Sequence, residues 1–185
     1  MKVKYSRKID KRVIAEVNKE CPRLSKVMGF KFEKEIRFDK RFISIAKAVA
    51  KSSRVFINET KIREAMKAIY GKDIPKITIY VNTTEFGTWN VIEGWVSVSM
   101  KYYGESFFNH TCHEINHFMY DSVYGTNKYE DTNIKEIVTI FNNNFGIKDT
   151  GWTIFKDERN KIANEYQSTN KDFKDIIRNI KKNNE

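Results

Sequence analysis

Cysteine and proline are almost missing from this chain, with two of each in 185 residues. Cys21 and Cys112 stand far apart with no CxxC spacing between them, which argues against a disulfide framework and against a cysteine-built metal module. Cys112 falls on the apolar side of a helical pattern and reads as a buried thiol. No run approaches the roughly 18 consecutive apolar residues of a membrane span. No internal repeat or low-complexity tract is visible. Histidine is nearly as scarce, with three in the chain, yet His110, His113 and His117 all fall within eight consecutive positions.

What is present is ordinary globular material. Hydrophobic residues make up 40% of the chain, aromatics 14% and charged residues 31%. A chain of this length buries enough apolar surface to stand alone, so a single domain over residues 1–185 is expected. The net charge of +10 raises the question of an acidic partner. Its lysines, however, are spread over the N-terminal third and the Lys161–Lys182 tail and mixed with Asp and Glu. No RNP-type aromatic motif or zinc-finger spacing accompanies them. Nucleic acid is therefore a possible but not a favoured partner, and no membrane partner is expected. The first residues, Met1 to Lys8, have no apolar segment behind them, which leads to the expectation of a cytoplasmic or otherwise soluble protein.

The periodicities predict an α+β fold with a small mixed sheet. Helical patterns cover Asp10–Glu20, Phe42–Lys51 and Glu59–Tyr70, the last capped by Asn58 or Thr60 and stopped by Gly71. Phe32, Ile36 and Phe38 suggest a short strand. Ile77–Val81 and Trp95–Met100 read as strands, the second with one face buried and one wet, joined by a turn-rich connection. Glu105–Tyr124 is a strong helix with Phe108, Cys112, Ile115 and Met119 on one stripe and Gly125 as its stop. A buried helix near Asn133–Asn144 and a long polar helix over Phe155–Lys181 complete the expectation.

The histidines carry the chemistry. His113-Glu114-Ile115-Asn116-His117 has the form H-E-x-x-H. On a helix, positions four apart lie only about 40° apart, so both imidazoles lean toward one point and can share a metal ion. Glu114 projects beside that point without having to be a ligand, where a carboxylate can take a proton from an activated water. Three fixed positions of these types arise by chance in roughly half a per cent of chains this long. The match also falls on a helix whose apolar stripe points elsewhere, which would aim the histidines at a cleft.

Catalytic zinc usually has three protein ligands. Glu136, in Lys135-Glu136-Ile137-Val138, is the favoured third ligand, because a carboxylate among apolar neighbours must be paired or metal-bound if it is buried. His110 lies on the same helical face and competes for that position. Asp121 is placed to orient His117, and Tyr120, Tyr124 and Tyr129 are close enough in sequence to supply a donor to developing oxyanion charge.

These residues resemble the zincin metallopeptidases, and within them the gluzincin group, in which a glutamate ligand follows H-E-x-x-H on a later helix. The resemblance covers roughly residues 77–145. It implies a zinc-dependent hydrolase acting on a peptide or protein substrate, with His113, His117 and Glu136 on the metal and Glu114 as general base. It also implies that Trp95–Met100 is the sheet edge to which substrate adds as a strand. Other subgroups fit worse. No histidine follows His117, as metzincins and SprT-like proteases require, and Gly125-Thr126 is followed by Asn127-Lys128 where an aspzincin would carry its aspartate. The chain departs from the larger gluzincins at Ile140, where they often have an aspartate that orients a ligand; Thr139 or Asp121 is left to substitute. Two other functions stay open at this point: a non-catalytic zincin-like binding or regulatory protein, and a basic nucleic-acid-binding domain with a structural metal.

Overall fold

The computed structural model describes residues 1–28, 35–126, 131–151, 155–169 and 172–184. Among them the chain forms a mixed α+β fold. Its elements in order are β1 (Lys2–Tyr5), α1 (Arg7–Met28), α2 (Ile43–Ser52), α3 (Glu59–Tyr70), β2 (Thr78–Asn82), β3 (Thr88–Asn90) and β4 (Trp95–Ser99). After these come α4 (Gly104–Tyr124), α5 (Thr132–Val138), α6 (Lys156–Thr169) and α7 (Phe173–Asn184). Short 3-10 turns precede and follow α2, and another, Thr139–Phe145, follows α5.

The four strands lie in the order β1-β2-β4-β3, with β1, β2 and β4 parallel and β3 antiparallel to β4. Parallel strands are usually covered on both faces, and here the covering is complete at the centre. Ile79, Val81, Val96 and Val98 join a large core with α2, α3 and α4, while Trp95 packs against Ile9, Val13 and Val17 of α1. All five residues of β4 are therefore buried, which corrects the expected wet face. The small polar residues of the alternation are dry but bonded: Ser97 accepts from Asn82 Nδ2 at 2.8 Å, and Ser99 Oγ donates to the Thr84 carbonyl. An alternating pattern cannot distinguish a polar face in water from one satisfied inside.

Other expectations shift for local reasons. Helix α3 has the expected bounds, with Asn58 rather than Thr60 accepting the Lys61 N–H at 3.0 Å and Gly71 at φ 65° ending it. No strand forms over 35–38; instead the Asn18 amide bonds both the N–H and the carbonyl of Ile36. Phe32 and Tyr129 lie outside the described residues. The helix expected over 133–144 is helical only to Val138 and then tightens into the 3-10 turn. There the asparagine-rich run competes for backbone bonds, and Asn142 is drawn to Asn116 at 3.2 Å. The expected long polar C-terminal helix is two helices, and the second is not surface decoration: Phe173, Ile176, Ile177 and Ile180 are buried, with Phe173 stacked on Tyr166 and set edge-on to Phe141.

No described helix is long and apolar enough to cross a membrane.

Candidate metal centre

Helix α4 runs through the middle of the molecule. Its first turn carries Glu105, suited to the positive end of a helix, and Gly125 at φ 68° closes it by donating its N–H to the Asp121 carbonyl. From Phe107 to Asp121 nearly every side chain is buried, the polar ones included. The apolar stripe foreseen from the sequence is in the core, and the opposite face is covered as well, by β3 and α5.

That second covering builds the centre. His113 and His117 are 4% and 2% exposed, and their Nε2 atoms stand 2.8 Å apart. Glu136, 5% exposed on α5, places one carboxylate oxygen 3.2 Å from His117 Nε2 and the other 3.6 Å from His113 Nε2. One ligand atom from each of the three lies within 4.8 Å of the others. Bonds of about 2.0–2.1 Å at tetrahedral angles separate neighbouring ligand atoms by about 3.3 Å, which is the scale of these contacts. Two imidazoles and a carboxylate form a donor set that fits zinc and other divalent transition metals. The group could hold a metal ion, and Glu136 lies in it rather than on an exposed helix face.

Electrostatics favour the ligand state. Burial pushes His113 down to about 3, with the neighbouring His117 adding to the shift and Glu136 opposing it. Burial does the same to His117, down to about 3, helped by Lys135 and opposed by Asp121. Both rings are thus neutral near pH 7, the form that offers a nitrogen lone pair to a metal.

His110 takes another place. Its Nδ1 donates to the Ser106 carbonyl at 2.8 Å and its ring stacks on Tyr102 with centroids 3.4 Å apart. It lines the same cleft but stands outside the ligand group.

Helix α5 is tied to α4 by a buried ion pair. Lys135, 1% exposed, places Nζ 2.5 Å from Asp121 Oδ1 and lies over the rings of Trp89 and Tyr120. Asp121 also accepts from Trp89 Nε1 and from Thr126 Oγ1, each at 2.6 Å. The Trp89 ring in turn packs on His117, centroids 4.7 Å apart. Asp121 therefore reaches His117 through the indole of Trp89 rather than orienting the imidazole directly. Thr139 donates to the Glu136 backbone carbonyl at 2.8 Å, so it holds the helix turn rather than the carboxylate. Asn116, inside the motif, accepts from Tyr70 OH at 2.5 Å and donates to Asn142, which pins α4 to α3 on one side and to the segment after Glu136 on the other.

The loop between β2 and β3 completes the site, and the sequence offered little sign of it. A side chain at Gly87 would put its Cβ 2.0 Å from Glu114 Oε1, so with any other residue the carboxylate or the loop must move aside. Asn82 shapes that loop by accepting from the Thr84 N–H and hydroxyl, each at 2.8 Å, and by donating to the Phe86 carbonyl at 3.0 Å. Buried Asp10 of α1 holds it from outside through Thr83. The edge of the sheet here is β3, not Trp95–Met100, which lies between β2 and β3.

Gly87, Trp89, Tyr102 and Glu114 line, with the ligand group, a cleft of about 190 Å³ that α1 borders through Glu16 and Val17. Of the tyrosines considered as oxyanion donors, Tyr120 is bonded to Asp131 at 2.9 Å, and neither it nor Tyr124 lines this cleft. Tyr102 does line it, in a position the sequence did not single out.

Comparison with protein-family models, curated proteins and solved structures returns no match. The candidate function rests on the chain's own residues.

Proposed function

We propose that this chain is a zinc-dependent metallopeptidase, with His113, His117 and Glu136 holding the metal and Glu114 serving as general base. The observation that carries the proposal is the convergence of three buried candidate ligands, His113, His117 and Glu136, on a cleft that a second carboxylate, Glu114, also lines. Burying two imidazoles and a carboxylate together is expensive unless something satisfies them, and a divalent cation would engage both Nε2 atoms and the Glu136 carboxylate. Such an ion supplies Lewis acidity and lowers the pKa of water.

The chain's own residues do the rest. Glu114 lies against Gly87 at the cleft wall, where it takes the proton of the attacking water and passes it to the leaving amine. Trp89 fixes the His117 ring, and Asp121 with Lys135 fixes Trp89. β3, the end strand of the sheet, lines the cleft through Thr88 and Trp89 and is suited to receive an extended peptide as an added strand.

The test separates metal from chemistry. Glu114→Gln keeps stoichiometric zinc by elemental analysis and loses hydrolysis of a peptide library by about 10²-fold or more. His113→Ala loses the zinc. Full activity in Glu114→Gln removes the base, and a gently purified protein without stoichiometric metal removes the centre. Zinc retained with no cleavage by the wild type favours a binding or regulatory protein instead.

A further inference from the structure

Far from the cleft's mouth in sequence, the segment Lys40–Phe56 has a composition unlike the rest of the surface. It carries Lys40, Arg41, Lys47, Lys51 and Arg54, and no Asp or Glu occurs between Asp39 and Glu59. Over most of the remaining sequence the lysines are interleaved with acids, the short run from Lys2 to Lys8 excepted. Among the described residues the same segment holds four of the six exposed large apolar side chains, Phe42, Ile45, Val55 and Phe56, with Val55 83% exposed.

The geometry of α2 sorts these groups. Ala46 and Ala50 are buried and mark the face that packs on the sheet. At 100° per residue, Ile45 and Ala48 project away from that face, while Lys47 and Lys51 lie together on the neighbouring flank. The 3-10 turn that follows, Ser53–Phe56, continues the surface: Ser53 is buried and Val55 and Phe56 are exposed. Phe56 reaches the backbone at Gly104, next to Tyr103, which is 76% exposed. The result is an outward surface of aliphatic and aromatic side chains with lysines beside them and no carboxylate of the segment to neutralise them. Arg41 is paired with Asp39, so within the segment the charge without a carboxylate is that of Lys40, Lys47, Lys51 and Arg54, the last also donating to the Val3 carbonyl at 3.0 Å.

We propose that this surface, formed by α2, its following 3-10 turn and Tyr103, docks on an anionic lipid bilayer. Charge complementarity selects the occupant. Cations alone would suit any polyanion, but nucleic acid offers no apolar phase for Ile45, Val55 and Phe56, whereas a bilayer interface takes apolar side chains below its headgroups and lysines at their level. Aromatic rings such as Phe56 and Tyr103 suit the same boundary. The chain needs no span for this, since the helix lies on the surface rather than crossing it. The proposal stands independently of the peptidase reading. Because Gly104 opens α4, a docked surface would also set the orientation of the metal centre's helix to the membrane.

The experiment is co-sedimentation of the full chain with phosphatidylcholine vesicles containing phosphatidylserine, against vesicles of phosphatidylcholine alone. Binding is expected only with the anionic lipid and falls as salt rises. Lys47→Glu with Lys51→Glu lowers it by at least about fivefold for each charge changed. Ile45→Asp with Val55→Asp abolishes it, and both positions are exposed, so an unchanged circular dichroism spectrum and thermal midpoint show that the fold survives. No binding to the anionic vesicles at low salt overturns the proposal. So does binding that survives the Ile45 and Val55 changes, which reduces it to charge attraction, or a tighter grip on duplex RNA or DNA than on the vesicles.

Discussion

Helices α3 and α4 are neighbours with opposite treatments of their polar residues. α3 buries Ile62, Ala65, Met66, Ile69 and Tyr70 along one face and leaves its charged side chains toward water. α4 buries its polar groups too, among them Asn109, Thr111, His113, Glu114, Asn116, His117 and Asp121. A polar side chain in water costs little to keep and little to lose. A dry one must be satisfied by another part of the chain, and removing its partner leaves a penalty of about 1–3 kcal/mol for a neutral group and more for a charge. α4 is thus a helix whose partners come from β3, α3, α5 and the loop at Gly87. That is poor economy for stability alone and good design for a site that must stay rigid.

The sharpest way to break this contrast is Lys135→Met. It strands the Asp121 carboxylate in a dry network with Trp89 and Thr126, and unfolding in denaturant should show a loss of about 3–5 kcal/mol. Adding Asp121→Asn should recover much of that loss, since the stranded charge is then gone; a double variant as unstable as the single one would put the effect in packing rather than charge. Stripping the metal comes next. A ligand that binds the folded state at a hundredfold excess over its Kd stabilises by about 2.7 kcal/mol, so a chelator should lower the thermal midpoint by a matching amount. An unchanged midpoint would mean that the His-His-Glu group needs no ion.

Gly87→Ala probes the same helix from outside. The added Cβ must push Glu114 or the loop aside, and displacements of about 1 Å at a reacting group can lower turnover about 10²-fold. Zinc content should stay whole, because the atoms nearest an added Cβ belong to Glu114 and not to His113, His117 or Glu136. Loss of zinc together with activity would show that the loop holds the whole centre.

How far the sequence exposes this architecture follows from the range of the interactions. The bounds of α3 and α4 are legible because caps, glycine stops and helical stripes are local signals: Asn58, Gly71 and Gly125 each act within a turn. The triad of ligand candidates is legible because two members share one helical turn and the third is an acid in an apolar run. Non-local events are not legible. β1 and β3 are three or four residues long and exist through pairing with β2 and β4, and the burial of Ser97 and Ser99 depends on Asn82 and Thr84. Gly87 could have been suspected only as one glycine among eight. Nothing in its own neighbourhood states that Glu114 lies against it.

The mildest test is Asn58→Ala, which asks whether α3 is as independent as its wet face suggests. Asn58 Oδ1 caps the Lys61 N–H at an exposed helix start, so water can replace it and the expected loss is about 1 kcal/mol, read as a small shift in the denaturation midpoint. Zinc content and peptide hydrolysis should be untouched. The link that could spoil this outcome is Tyr70, at the far end of α3, whose hydroxyl donates to Asn116 between the two candidate ligand histidines. If loosening the start of α3 drains metal from the centre, that bond transmits the disturbance and the two helices form one unit. If only stability changes, the dry helix keeps its geometry from β3, α5 and the Gly87 loop, and α3 serves it as a wall.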